Sequence, residues 1–387
     1  MRWTRLRATV VVPVTVAALL AATVSCAPNG GGGSGGGGSK GGKTVTVYVS
    51  GDVNVRDLWQ KTIISGFKKA NPGYTVKVTF SEHGVNDTTT LSRLAAAVKT
   101  KQNPGMDIID SGIVTSAAQA KLVTPITTSQ VPNLDKVNPA LLQTIYNRGL
   151  PYRGSSVLLA YDSRKVKTPP KTMAELMSWI RSNPGKFTYN SPSSGGAGQA
   201  FAQTVLDMNM PASVSKKMTS DANYSTALEK NWDKGWKVLK GLKPYVYHHV
   251  YPNGNQAVLD LLAKGEIEMT PAWSDQSLSA LATGQLPKYV KLAQITNPSF
   301  TGSPTYVGVP VNSPNKQAAY KLFNYMLTPD VQTKIVNAVQ GYPGIENKYL
   351  PKSVQTKFTG LDTDHLRPGY SNKFGNDLKQ QWDQKVP

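Results

Sequence analysis

The sequence predicts an α/β protein built on open sheets and large enough for two lobes. Three observations carry this: a strand–helix–strand unit near the start, strands and amphipathic helices alternating through the rest, and a length of 387 residues. About 360 residues remain once an N-terminal signal is removed, more than one ordinary core serves and enough for two. An apolar content of 39% with seven Trp marks a globular chain, not a disordered one.

Val45, Val47 and Val49 alternate with Thr44, Thr46, Tyr48 and Ser50, the period of two expected of a strand. In DLWQKTIISGFKKA at 57–70, Leu58, Ile63 or Ile64 and Phe67 fall near one helical face, and Asn71-Pro72-Gly73 stops the helix. Tyr74, Val76, Val78 and Phe80 then alternate with Thr75, Lys77 and Thr79 as a second strand. Such a βαβ unit forces a parallel pair through a right-handed crossover. The helix LSRLAAAVKTK at 91–101 leads through Asn103-Pro104-Gly105 into the short strand MDIID at 106–110. Ligands of open α/β sheets bind beyond the carboxyl ends of the strands. Those ends carry Ser50-Gly51-Asp52 and Asp110-Ser111-Gly112, which brings forward Gly51, Ser111 and Gly112.

The middle reads differently. GSSVLLAYDS at 154–163 is a continuous apolar strand, and the turn KTPPKT leads to Thr172, cap of the helix MAELMSWIRS, with Glu175 completing a capping box. The strand FTYN and the loop SPSSGGAG at 191–198 precede a helix that opens at Gln199. AVLDLLAKG at 257–265 is an amphipathic helix, EIEMTPAW at 266–273 a strand, TYVGVPVN at 305–312 another, and NKQAAYKLFNYML a helix from 315 to 327.

Six segments together resemble the extracellular solute-binding proteins of bacterial ABC importers, of the periplasmic binding protein-like II type. They are TVTVYVSG, FKKANPGYTVKV, MDIIDSG, GLPYRGSSVLLAYDSRKVKTPPKTMAEL, LAKGEIEMTPAWSD and VPVNSPNKQAAYKLFNYMLTPDVQ, in the family's order over nearly all of 44–387. The resemblance implies two open α/β lobes joined by crossing hinge strands, closing over a solute in the cleft between them. It implies lobe 1 from 44–155 and 303–344 and lobe 2 from 156–302 and 345–387, with crossings near Ser155–Leu158, 300–306 and 343–346. It also implies a monomeric receptor, a permease and an ATPase as partners, and no catalytic residue, cofactor or metal.

The N-terminus agrees with an extracellular site of action. Arg2, Arg5 and Arg7 precede an apolar run from Ala8 to Val24 and the small Ser25, the order of a secretory signal at 1–26. TVSC at 23–26 resembles a lipobox, which implies acylation of Cys26 and anchoring on the extracellular face of the bacterial membrane. Residues 27–43 are Gly/Ser-rich and hold nothing that could build a core, a coil spanning roughly 20–25 Å. Gly37, Gly42, Lys43 and Thr44 satisfy the phosphate-loop pattern, but here it precedes a strand and follows a coil, so the loop cannot aim its N–H groups at a phosphate. Cys26 is the only cysteine, so a disulfide or a cysteine nucleophile in the folded body is excluded.

The formal charge is +20, about +17 without Arg2, Arg5 and Arg7. The basic residues are mostly scattered lysines with no Arg-rich arm, which points to a solvated surface near anionic lipids and wall polymers and away from nucleic acid. Of the four histidines, His248 and His249 are adjacent and on a strand would face opposite ways. No H-E-x-x-H, paired-Cys, EF-hand or G-x-S-x-G spacing occurs. A secreted hydrolase and a sensor or adhesin remain competing readings, because a triad is recognised by geometry and not by chain order.

Further candidates for holding the solute come from three places. Ser194 and Gly195 precede a helix start and can offer N–H groups to an anion, or can form an ordinary capped turn. Trp273 and Asp275 stand at a strand end, where an aromatic face and a carboxylate suit an ammonium group. Trp-x-Asp here resembles the polyamine-binding branch, and the 191–198 region resembles the cluster handling thiamine, polyamines, ferric ion and phosphonates. Tyr306 and Tyr342 can stack on a ring or sugar, or can pack in the core. The reading favours a small charged metabolite, cationic in the manner of a polyamine or thiamine, with sugars and anions as alternatives.

Overall fold

The computed structural model describes residues 43–51, 53–82, 84–363 and 366–387. The signal sequence, Cys26 and the tether up to residue 42 lie outside the described residues.

Among the described residues the strands are β1 Thr44–Gly51, β2 Thr75–Glu82, β3 Ile108–Asp110, β4 Leu150–Asp162, β5 Met269–Trp273, β6 Val290–Ala293, β7 Gly302–Gly308 and β8 Tyr342–Pro343. Their order is β2-β1-β3-β7-β4-β5, with β6 and β8 also pairing β4. β1 pairs β2 and β3 in parallel, and β7 runs antiparallel to β3 and β4. The β1–β2 crossover is one continuous helical run: Val53–Asp57, a π-helical stretch Leu58–Ile64, and Ser65–Ala70.

Four apolar clusters lie two to a sheet. Val45, Val47 and Val49 of β1 face one cluster and Tyr48 faces another across the same sheet, as the two-residue period requires. In the second half of the molecule Val157 and Leu159 face one cluster and Ala160 the other. That two-sided burial is why residues 157–160 read as an unbroken apolar run.

β4 belongs to both sheets. Its first half, residues 150–156, pairs β7 and β8, while 157–162 pair β5 and β6. One strand therefore runs out of the first core and into the second, joining two lobes. A second connection passes from Ile295 and Phe300 in the second core to Val307 in the first. The third crossing corrects the expectation of 343–346. Ile345, Leu350, Val354 and Phe358 all pack in the first core, and the chain joins the second core only at Tyr370 and Phe374. The cause is hydrophobic: 345–358 carries four apolar side chains that the first lobe buries before the chain is free to leave.

The capping box forms at Thr172, whose Oγ1 accepts from the Glu175 N–H at 3.2 Å, while Glu175 Oε2 accepts from Lys171 N–H at 2.8 Å, one residue before the cap. Several expected strands differ, among them TYVGVPVN at 305–312, which is strand only as far as Gly308. FTYN pairs only at Phe187, and the strand expected at 266–273 starts at Met269. No described helix is long and apolar enough to cross a membrane.

Candidate functional site

β4 crosses between the sheets along the floor of a cavity of about 360 Å³. One wall comes from the first lobe, with Gly51 at the end of β1 and Asn54 and Val55 in the first helical turns. The other comes from the second lobe: Asn255 and Gln256 open the helix Asn255–Lys264, Trp273 ends β5, and Asp275 and Gln276 begin the helix Ser274–Thr283. Arg153 and Ser155 rise from β4 itself. A smaller cavity of about 160 Å³, lined by Gly196, Gln199 and Gln203, shares Trp273 and Ser303 with the larger one. The Trp273 indole is thus a common wall, and a Cβ at Gly196 would come within 3.0 Å of its ring.

Among the described lining residues of the larger cavity, only Arg153 and Asp275 carry charge. Arg153 is placed by a bulge. Pro151 pairs Tyr306 and Arg153 pairs Thr305, so Tyr152 is an extra residue between them. Residues two apart on a regular strand share a face; here they oppose successive partners and so lie on opposite faces. Tyr152 turns into the core, where its hydroxyl donates to Asp110 Oδ2 at 2.7 Å and accepts from Arg153 Nε at 2.9 Å. Trp59, inside the π-helical stretch, donates its indole N–H to the same carboxylate oxygen at 2.6 Å. Burial pushes the Asp110 carboxyl up, against the pull of Arg153 and these donors. Gln332 fixes the bulge, donating to Tyr152 O at 3.1 Å and accepting from Gly344 N–H at 2.8 Å.

The structure brings Gly51, Trp273 and Asp275 together in the larger cavity and sets the other sequence candidates apart from both cavities. Ser111 is buried and donates to Asp87 Oδ2 at 2.5 Å, beside Tyr48, whose hydroxyl donates to the other oxygen of that carboxylate. Gly112, exposed, precedes the helix Ile113–Gln119. The helix expected to open at Gln199 starts at Gly196, with Gly195 as its cap. Two of its first N–H groups are occupied: Ala197 donates to Asn255 Oδ1 at 3.2 Å and Gly198 to Asn190 Oδ1 at 2.9 Å. Ser194 Oγ is likewise engaged, donating to Ser191 O and accepting from Gly254 N–H. Tyr306 is buried, its hydroxyl bonded to Thr144 and Leu141 O. Tyr342 is buried against Phe358, its hydroxyl at 2.7 Å from Ser156 Oγ. Both tyrosines spend their faces on packing. Sequence reasoning missed Arg153 and the amides of Asn54, Asn255, Gln256 and Gln276. The one available signal was a charged residue directly before the apolar run of 154–163.

The two lobes also meet through side-chain hydrogen bonds. Asn372 donates to Ser116 Oγ at 2.9 Å, and Gln119 to Ser220 Oγ at 3.0 Å.

Residues 62–359 match the model of a family described as bacterial extracellular solute-binding protein. The chain belongs to that family. Among curated proteins, Protein YnjB of Escherichia coli (strain K12) is 25% identical over 244 residues, 60% of this chain and 61% of YnjB. The matched part thus spans about three-fifths of that relative's length. Among solved structures, the apo ferric ion-binding protein A of Pasteurella haemolytica has a TM-score of 0.64 at 15% identity, covering 88% of this chain and 97% of the other. An ABC transporter solute binding protein from Thermotoga lettingae, bound with α-D-tagatose, has a TM-score of 0.64 at 19% identity, covering 87% and 92%. At these identities the likeness shows the fold. A solute-binding protein needs no activated nucleophile, and its working parts are a cleft and a hinge.

Proposed function

We propose that this solute-binding protein is the receptor of an ABC importer, working as a monomer tethered outside the membrane through an acylated Cys26. It captures a small charged metabolite in the cleft and passes it unaltered to a permease driven by an ATPase. The observation carrying this reading is that one cavity draws its walls from both lobes while its floor is a strand that crosses between them. A solute touching both walls stabilises the closed arrangement by the contacts it makes only there, and that difference drives closure.

Within the cleft, Trp273 and Asp275 form the seat for a cationic group: an aromatic face supplies cation–π attraction and the carboxylate supplies charge. Gly51 lines the cavity from the first lobe. Its φ is +154°, a conformation that side chains with a Cβ rarely adopt, and a Cβ there would press on the Val55 side chain at 3.0 Å. The amides and hydroxyls around the cavity favour a second reading, a polyhydroxylated solute such as a sugar.

The test is a thermal-shift screen over polyamines, thiamine, phosphonates, amino acids and sugars, followed by calorimetry. A true solute at about 100 times its dissociation constant adds about 2.7 kcal/mol of stability. Asp275→Ala is expected to weaken a cationic hit by roughly tenfold to a hundredfold, the size of a charge-assisted hydrogen bond. Unchanged affinity in that variant removes Asp275 from the site, and turnover of the solute favours an enzyme.

A further inference from the structure

Lysines that read as scattered along the sequence are gathered at one place in the fold. Over the whole chain 43 basic side chains meet 23 acidic ones, whereas from 230 to 243 five lysines meet a single acid, Asp233. Lys230, Lys234, Lys237, Lys240 and Lys243 follow one another at intervals of four, three, three and three residues. That spacing returns to one side of a helix, here Asp233–Gly241 with a 3-10 turn before and after it. The first four are exposed and Lys243 is half-buried. None of the five side chains makes a hydrogen bond or an ion pair among the described residues.

The opposite side of the helix is already buried. Trp232, Trp236, Leu239 and Leu242 pack in the second core, and Trp232 stacks on Tyr370 with ring centres 5.6 Å apart. The C-terminal helix Asn372–Lys385 packs beside it, with Gln381 accepting from the Trp236 indole N–H. The acids of that helix are engaged elsewhere, Asp377 accepting from the Tyr224 hydroxyl and Asp383 from the Ser193 hydroxyl. Glu229, just ahead of the row, is buried and accepts from Gln381 at 2.6 Å. Lys385 adds a further cation, 5.6 Å from the centre of the Trp236 ring.

A row of like charges about 20 Å long, at roughly 1.5 Å per residue, repels itself and is relieved by an extended partner of opposite sign. None of these lysines lines either cavity of the cleft, so the solute is not that partner. Residues 27–43 say which surface lies within reach: a coil spanning roughly 20–25 Å keeps a body anchored at Cys26 next to lipid. We propose that the lysine face docks on anionic phospholipid headgroups and lays the second lobe against the membrane. The tethered reading decides only which membrane is met; the docking itself needs the lysines alone. With its tryptophans committed to the core, the helix cannot sink into the bilayer, so the contact is electrostatic and fades as salt screens it.

The experiment uses the mature chain carrying Cys26→Ser, so that no acyl group takes part. It is sedimented with phosphatidylcholine vesicles that contain phosphatidylglycerol and with vesicles that do not. Binding is expected only with phosphatidylglycerol, and is expected to vanish at about 1 M salt, where the screening length is about 3 Å. A lysine near an anionic surface contributes about fivefold, so Lys234→Gln with Lys237→Gln is expected to weaken binding roughly twentyfold to thirtyfold. Lys68→Gln with Lys69→Gln removes the same charge from an exposed stretch of the first lobe and should weaken it less than about threefold. Glutamine keeps helix propensity, and unchanged melting curves show that both double variants are folded. Equal losses in the two overturn the assignment to this face, because binding then follows total charge. Absence of binding to phosphatidylglycerol, or equal binding without it, overturns the docking. If soluble poly(glycerol phosphate) is held through Lys234 and Lys237 while vesicles are not, the face belongs to a wall polymer and the membrane proposal falls. Acylation of Cys26 is read separately, from the mass of the chain extracted from cells, so failure of the anchor and failure of the docking face are distinguishable.

Discussion

Gly198→Ala is expected to destabilise the protein by more than about 3 kcal/mol, seen as a lower urea midpoint at unchanged slope. A Cβ at Gly198 would lie 1.7 Å from the carbonyl oxygen of Asn190, a backbone atom with no rotamer to relieve the overlap. Relief requires the helix Gly196–Asp207 to shift away from the segment that caps it. That shift breaks the Gly198–Asn190 and Ala197–Asn255 bonds together and exposes a helix end buried in the second core. It also moves Gly196 and Gln199, which line the smaller cavity against Trp273. Solute affinity is therefore expected to fall in whatever fraction stays folded. Alanine at Gly241, where nothing lies within 4 Å of the added carbon, is the control and should be close to neutral.

The second large effect is expected at Trp59, fully buried in the first core. Trp59→Ala should cost about 3–5 kcal/mol through lost burial and the cavity left behind. Trp59→Phe separates the two contributions. It keeps most of the apolar volume and removes the indole N–H, leaving the Asp110 carboxylate with Tyr152 as its remaining donor. Its cost should be about 1–3 kcal/mol, that of a buried polar group losing a partner. Because Asp110 holds Tyr152 and Tyr152 holds Arg153, both variants should also weaken solute binding, measured by calorimetry below the melting transition.

What the sequence discloses and what it conceals divide along a physical line. β1 and β2, their parallel pairing and the helix between them were legible because alternation and a Pro-Gly stop are local signals. Thr172 and Glu175 were legible for the same reason. That Trp273 ends a strand and Asp275 begins a helix was also legible, and the fold puts both on the larger cavity. Arg153 could not, because its direction depends on a bulge created by pairing with Thr305 and Tyr306, far away in the chain. The partner of the Ser111 hydroxyl, Asp87, is brought to it only by the fold. Tyr306 and Tyr342 are read equally well as stacking or packing rings from sequence, and only the sheet decides which face each presents. The third crossing was misplaced because Ile345 to Phe358 show no local break that would tell which core claims them.

The central claim is that two lobes on a shared strand close over a solute. Small-angle X-ray scattering of the mature chain, with and without a saturating solute from the screen, tests it most directly. A smaller radius of gyration with solute, lost in Asp275→Ala at the same solute concentration, is the expected result. Superimposable profiles with the site demonstrably filled would contradict the account.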